Sequence, residues 1–176
     1  TAVLEDGAVR ARQRRALGAI ELASTPVAAT ASDTVPAVLA HVRRHGLDAL
    51  PMDDAARELR ARLALVRREL GAPWPAMGEA ALLDAAETWL APQLSECTTR
   101  LDRIDVTGGL RLLLPWPEAT ALDELVPRRL AVPSGSTSRI EYPAPDAEDG
   151  RPVVAVKLQE LFGLAETPRL VHGRVP

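Results

Sequence analysis

Across the middle of the chain, apolar residues return every three or four positions, which is the period of an amphipathic helix. The first such stripe ends at Gly46, and Asp33 or Thr34 followed by Pro36 marks its start. Its apolar positions are Val35, Val38, Leu39 and Val42. The pattern predicts a helix that buries one face.

A second stripe begins after Asp53 and stops at Gly71. Its apolar positions are Leu59, Leu63, Val66 and Leu70, and its arginines are Arg57, Arg60, Arg67 and Arg68. These arginines fall on the outward face, where solvation is the simplest interpretation. A third helix is predicted from Glu79 to Leu90, because Pro92 follows it.

Weaker helical signals continue as far as Pro127. We expect short helices at Leu94–Ile104, Val106–Leu114 and Glu118–Leu125. Gly108-Gly109 weakens the second of these, because glycine is a poor helix former. The chain therefore has a helical centre.

Strand-like patterns lie at the two ends. The first 22 residues predict a hairpin, with a strand at Thr1–Leu4, a turn at Glu5-Asp6-Gly7 and a strand at Val9–Leu22. Gly18 predicts a bulge in this strand, and a linker rich in Pro, Ala and Thr follows at Ser24–Asp33.

From Arg128 onward the pattern is again that of strands. A tight loop at Pro133–Ser136 separates two of them, an acidic loop follows at Pro143–Pro152, and the pattern ends in a short helix and a last strand. The fold class is therefore α+β. The predicted parts are a β-hairpin at residues 1–26, a helical bundle at 27–127 and a β-region at 128–176.

Composition limits the functions that this pattern permits. The 176 residues are 47% hydrophobic, which predicts a folded chain, and the net charge is −3. A nucleic-acid binder usually has a basic balance, so any such binding must depend on a local patch. Cys97 is the lone cysteine, which excludes a disulfide framework. No apolar run reaches the roughly 18 residues of a membrane span, and the start at Thr1 suggests a piece of a longer protein.

Two local patterns are candidates for binding phosphate. Arg10, Arg12 and Arg14 alternate along the second predicted strand, so their guanidinium groups share one face about 6.6 Å apart. Ser134-Gly135-Ser136 offers backbone N–H groups and two hydroxyls at one point. A solvated strand face and an ordinary turn are the alternative interpretations.

Other candidate chemistry is weaker. The chain lacks the Gly-x-x-x-x-Gly-Lys-Ser/Thr loop that cradles nucleotide phosphates, and Lys157 is the only lysine. His41 and His45 have the i, i+4 spacing of paired metal ligands without the further ligands that a metal needs. The sequence therefore predicts no metal site and no catalytic residue.

Several segments, in order, resemble the C-terminal region of HrpB-type bacterial ATP-dependent helicases, relatives of the DEAH/RHA group. The most specific are Val132-Pro-Ser-Gly-Ser136, Val154–Gly163 and Gly173-Arg-Val-Pro176. Earlier segments that also resemble the family are Val9–Arg12, Leu17–Ala19, Gly46–Pro51, Asp54–Arg57, Trp89–Pro92 and Leu112–Trp116.

The resemblance implies an accessory region of a helicase, made of a helical bundle and a small OB-like β-region, that helps to hold single-stranded nucleic acid, with RNA as the expected track. ATP and Mg would bind to the RecA-like domains of the parent chain, and this region would need no cofactor. The implied setting is cytoplasmic, without a membrane. From their charge and their backbone and hydroxyl donors, we predict that the contact residues are Arg10, Arg12, Arg14, Ser134, Gly135, Ser136, Arg139 and Lys157. A structural or docking module that braces the motor without touching nucleic acid remains the alternative.

Overall fold

The structure, a computed structural model, describes residues 2–17, 20–94, 100–147 and 149–176. The chain is divided into two compact units. Unit one comprises Thr1–Ala56 and Glu79–Leu113, and unit two comprises Arg57–Gly78 and Leu114–Pro176. This division reflects compactness alone, and the three functional parts at 1–26, 27–127 and 128–176 stay a prediction.

Unit one opens with an antiparallel sheet of three strands in the order β1-β2-β3. The strands are β1 (Ala2–Glu5), β2 (Ala8–Leu17) and β3 (Ile20–Val27). The turn between β1 and β2 places Asp6 and Gly7 at positive φ, as the Asp-Gly pair predicted.

The single strand predicted over Val9–Leu22 is wrong, because the chain reverses and β3 pairs back on β2, with Arg12 opposite Pro26. Apolar residues continue on both sides of the reversal, so the pattern alone did not reveal it. The predicted linker also begins later, since β3 extends to Val27. The predicted bulge at Gly18 lies outside the described residues.

The first predicted helix is confirmed as α1 (Ala31–His45), which packs against β1 and β2. It starts earlier than predicted because Thr30 is its N-cap, and the Thr30 N–H donates to Asp33 Oδ2 at 3.2 Å. Gly46 ends it with a φ of 78°, as predicted. Val38, Leu39 and Val42 are buried, so the predicted apolar stripe faces the core.

The second predicted helix is confirmed as α2 (Asp54–Leu70). Asp53 caps it as predicted, because its Oδ1 accepts a hydrogen bond from the Ala56 N–H at 2.7 Å. The residues from Arg57 onward belong to unit two, where Leu63 and Val66 are fully buried.

The rest of the helical centre is more broken than the pattern predicted. The third helix is split into α3 (Glu79–Asp84) and α4 (Ala86–Trp89). Of the predicted helix at Leu94–Ile104, residues 95–99 lie outside the described part, and Leu101–Arg103 is a 3-10 turn. The last helices are α5 (Val106–Arg111) and α6 (Leu122–Leu125), with a 3-10 turn at Glu118–Ala121 before α6.

Gly109 lets α5 approach α4 closely. A Cβ at this position would lie 2.8 Å from the Trp89 carbonyl oxygen and 2.9 Å from its ring. Trp89 is fully buried, and its indole N–H donates to the Leu82 carbonyl oxygen at 2.9 Å. The glycine that weakens α5 in the sequence therefore has a packing reason.

Unit two contains a second antiparallel sheet, β4-β5-β6. Its strands are β4 (Arg129–Ala131), β5 (Thr137–Glu141) and β6 (Val153–Val154), and a 3-10 turn follows at Leu158–Leu161. The predicted last strand is an isolated bridge between Leu170 and Val175. The α+β class is confirmed. An OB fold has five strands, and the OB-like character of this region stays a prediction.

Candidate nucleic-acid interface

In unit one, β2 presents three arginines on one face. Val9 and Ala11 are buried, whereas Arg10, Arg12 and Arg14 are exposed, so the predicted alternation is present. Arg10 forms an ion pair of 3.9 Å with Asp6, four residues earlier in the turn. Both partners are largely exposed, so this pair is worth little.

In unit two, the Ser-Gly-Ser segment is the tip of the β4–β5 hairpin. The Val132 N–H donates to the Ser136 carbonyl oxygen at 3.0 Å, and the Gly135 N–H donates to the Val132 carbonyl oxygen at 2.9 Å. Gly135 has a φ of 88°, the left-handed conformation that glycine adopts without strain. A Cβ there would meet no atom within 4 Å, so the tip faces open space.

The hairpin closure determines which polar groups remain for a ligand. The Gly135 N–H is used internally, whereas the N–H groups of Ser134 and Ser136 have no partner within the part of the chain that the structure describes. The two serine hydroxyls lie 3.0 Å apart and bond to each other. The tip can therefore offer two N–H donors and a pair of hydroxyls to one anionic oxygen or carbonyl.

Arg139 lies on β5, the strand that leaves the tip. Its Nη2 donates to Glu58 Oε2 at 3.1 Å, and the guanidinium is more than half exposed. Arg128 Nε lies 3.2 Å from the other oxygen of Glu58. Arg139 and Arg128 therefore contact the same carboxylate from α2. The sequence had indicated a positive charge at Arg139 alone.

Lys157 is exposed, but its predicted place in a strand is wrong. β6 ends at Val154, and Lys157 is the residue before the 3-10 turn at Leu158–Leu161. The alternation of Val154 and Val156 is that of a strand, yet the 3-10 turn begins at Leu158, two residues after Val156. That turn ends near the hairpin, because a Cβ at Gly163 would lie 3.7 Å from the Pro133 Cβ.

Arg57, Arg67 and Arg68 of α2 are exposed and Arg60 is half-buried, and three of these four arginines also bind backbone carbonyls. Arg60 Nε donates to the Met77 carbonyl oxygen at 2.7 Å, and Arg67 Nη1 donates to that of Trp74 at 3.0 Å. Arg68 Nη2 donates to the Gly150 carbonyl oxygen at 2.8 Å and so holds the acidic loop on the helix. These side chains stabilise unit two, and the 370 Å³ cleft beside them is lined by arginines that the protein itself engages.

Two histidines with the spacing of paired metal ligands lie on α1. His41 and His45 stack with ring centroids 4.4 Å apart, and partial burial, His45 and Arg44 lower the pKa of His41. Within the described residues, no group of three potential metal ligands occurs. No helix among these residues is both long and apolar enough to cross a membrane.

A family model, a relative and two solved structures match this chain. The family described as "ATP-dependent helicase C-terminal" (HrpB_C) matches residues 89–176. The ATP-dependent RNA helicase HrpB of Escherichia coli (strain K12) is 35% identical over 174 residues, which cover 97% of this chain and 21% of that protein. The chain belongs to the HrpB C-terminal family. The resemblance read from the sequence is thereby confirmed.

Two solved structures contain the same fold as this chain. The Escherichia coli DEAH/RHA helicase HrpB has a TM-score of 0.74 at 34% identity, and this chain covers 23% of it. The E. coli DExH-box NTPase HrpB has a TM-score of 0.76 at 33% identity, and this chain covers 22% of it. Each match covers 100% of this chain. The chain thus spans about a fifth of the length of these relatives.

Sequence reasoning missed three residues of unit two. Glu58 and Arg128 are 70 positions apart in the chain, and no local pattern joins a carboxylate on a helix to a residue before a strand. Phe162 precedes Gly163 and is 73% exposed, which is unusual for the only phenylalanine of the chain. In the sequence, only the adjacent arginines Arg128 and Arg129 indicated a charged cluster in this part of the chain.

Proposed function

We propose that this chain is the accessory C-terminal region of an ATP-dependent helicase and helps to hold single-stranded nucleic acid, with RNA as the first candidate. The observation that carries the proposal is the β4–β5 hairpin. Its tip leaves the Ser134 and Ser136 N–H groups open, and Arg139 lies three residues after the tip. Backbone donors at a loop and a nearby cation suit a phosphate of a flexible strand.

The motor chemistry belongs elsewhere in the parent protein under this proposal. No phosphate-binding Gly-x-x-x-x-Gly-Lys-Ser/Thr loop occurs in the sequence. ATP and Mg would bind the RecA-like domains of the same parent chain, which are the expected partners of this region. The β-region would act in the manner of an OB-like module, which places single strands with loops and a basic groove.

Arg139→Gln tests the proposal, because it removes the charge and keeps most of the side-chain length. The expected result is weaker binding of a single-stranded RNA oligonucleotide at low salt, measured by fluorescence anisotropy. Arg103→Gln is the control, since it removes one charge from an exposed position in unit one. Equal affinities of the wild-type, Arg139→Gln and Arg103→Gln proteins across salt concentrations would contradict the role of the hairpin.

A docking module is the second candidate function, and the exposed apolar side chains favour it. Trp116, Leu158 and Phe162 are each more than 70% exposed. Exposed aromatic and leucine side chains are typical of surfaces that another protein covers. Under this candidate, Leu158→Ser with Phe162→Ser would weaken the association with the helicase core and leave RNA affinity unchanged.

A further inference from the structure

Glu58 lies between two guanidinium groups in unit two. Its side chain is only 14% exposed, whereas those of Arg128 and Arg139 are 50% and 58% exposed. Each carboxylate oxygen faces one arginine, at 3.2 Å for Arg128 and 3.1 Å for Arg139. The two guanidinium groups therefore share one carboxylate. We call the side of each guanidinium that contacts Glu58 of α2 its inner edge.

The two contacts differ in quality. Arg139 Nη2 makes a hydrogen bond to Oε2, whereas Oε1 is buried and has no aligned hydrogen bond although Arg128 Nε lies close to it. Arg128 is thus held by charge attraction without a directed bond. Within the described residues, Nη1 and Nη2 of Arg128 have no other partner. Its guanidinium can therefore turn towards an external anion at little cost.

The sheet adds a third arginine to this surface. Arg129 lies directly opposite Arg139 in the antiparallel pair of β4 and β5, and like charges in that arrangement destabilise a sheet. Its Nη2 donates to the Thr137 carbonyl oxygen at 3.3 Å. Glu141, two residues after Arg139, is the acid that shares its face of β5. Three arginines against Glu58 and Glu141 leave a positive surplus.

We propose that Arg128 and Arg139 form a phosphate-binding pair, and that Glu58, which contacts their inner edges, neutralises part of their charge. The ligand is a phosphodiester of a single-stranded nucleic acid, and the inference rests on the function proposed above. Two guanidiniums that converge on one carboxylate are already spaced to converge on one phosphate. Their outer N–H groups then donate hydrogen bonds to the phosphate oxygens, while the inner N–H groups keep their contacts to Glu58.

Salt dependence is the readout that separates this role from a structural one. Arg128→Gln and Arg139→Gln should each reduce the salt slope of RNA binding by about 0.7, and the double variant by about 1.4. Arg128→Lys keeps the charge and should retain the slope. Arg43→Gln is the matched control, because Arg43 is also half exposed and pairs one-to-one with Glu87 at 2.9 Å. Its slope should equal that of the wild type.

Glu58→Gln should change RNA affinity in the opposite direction to the arginine variants. It keeps the shape of the side chain and removes the competing charge, so RNA affinity at low salt should rise by about three- to tenfold. Circular dichroism and thermal melting establish that the variant is folded. Weaker RNA binding by folded Glu58→Gln would overturn the proposal, as would an equal loss of slope in Arg43→Gln.

The outcomes separate this inference from the proposed function. If the wild-type chain binds RNA and Arg139→Gln weakens that binding, but Arg128→Gln leaves the affinity and slope unchanged, the pair is not the phosphate site and the proposed function survives. If the wild-type chain does not bind RNA, the proposed function itself fails. Competition with inorganic phosphate at constant ionic strength is the second experiment. Displacement of RNA by millimolar phosphate would contradict the assignment to a phosphodiester.

Discussion

Arg62 Nε donates a hydrogen bond to the Val126 carbonyl oxygen at 2.7 Å, inside unit two. Only 1% of the Arg62 side chain is exposed, although the Asp123 carboxylate that also binds it is largely exposed. A buried arginine is rare unless it is paired. Here it connects α2 to the end of α6, immediately before the chain enters β4.

We expect Arg62→Ala to lower the free energy of unfolding by about 2–4 kcal/mol, because it leaves a cavity and an unsatisfied carbonyl. Asp123→Ala leaves the buried guanidinium without its counter-charge, so its cost should exceed the roughly 1 kcal/mol of a pair between two exposed side chains. Urea denaturation of both variants measures the two losses. A loss below about 1 kcal/mol in Asp123→Ala would show that the hydrogen bond to Val126 holds Arg62 without the carboxylate.

Much of the helical framework was predictable because its signals are local. Asp53 and Gly46 cap or end their helices as the sequence indicated, and the apolar stripes face the cores. The third strand was not predicted, because the residues on both sides of the reversal look alike. The partners of Arg60 and Arg139 were not predictable either, since a charged residue on a helix or strand gives no indication of which distant group it binds.

Gly109→Ala should destabilise the protein even though alanine is the better helix former. The added Cβ would overlap the Trp89 backbone and ring, and overpacking of this kind costs about 1–3 kcal/mol. That cost exceeds the gain in helix propensity of about 1 kcal/mol. A higher midpoint of thermal unfolding in Gly109→Ala would mean that α4 can move away without cost.

The Tyr142 hydroxyl links stability to pH. It donates to the Pro127 carbonyl oxygen at 2.5 Å, and burial raises its pKa well above the ordinary value, with a smaller opposing effect from the charge of Arg62. Above about pH 10 the unfolded chain loses this proton while the folded protein retains it, so the free energy of unfolding falls as pH rises.

Phenolate absorbance measures this directly, because Tyr142 is the only tyrosine. The native protein should titrate well above the urea-unfolded chain. Tyr142→Phe should lose the steeper decline in stability above pH 10 and serves as the control. Titration of the native tyrosine near its ordinary value would contradict the buried hydrogen bond.

The three arginines of β2 make a separate prediction for unit one. Replacing Arg10, Arg12 and Arg14 together with Gln should lower the salt slope of single-strand binding by up to about 3 × 0.7, if each contacts a phosphate. Binding isotherms at several salt concentrations give the slope. An unchanged slope would mean that this exposed face is only solvated.

Photocrosslinking tests most directly whether the β4–β5 hairpin holds a single strand. Trypsin cleaves after Arg129 and Arg139, so one peptide of ten residues, Leu130–Arg139, contains the whole tip. The purified chain would be irradiated with an RNA oligonucleotide that contains 4-thiouridine, and the crosslinked peptides identified by mass spectrometry. We expect crosslinks to Leu130–Arg139 in the wild-type chain. In Arg128→Gln/Arg139→Gln the cleavage site at residue 139 is absent, so the tip lies in the longer peptide that ends at Lys157, and this peptide should carry no crosslink. In the wild-type chain, crosslinks found only elsewhere, or none at low salt, would contradict the account.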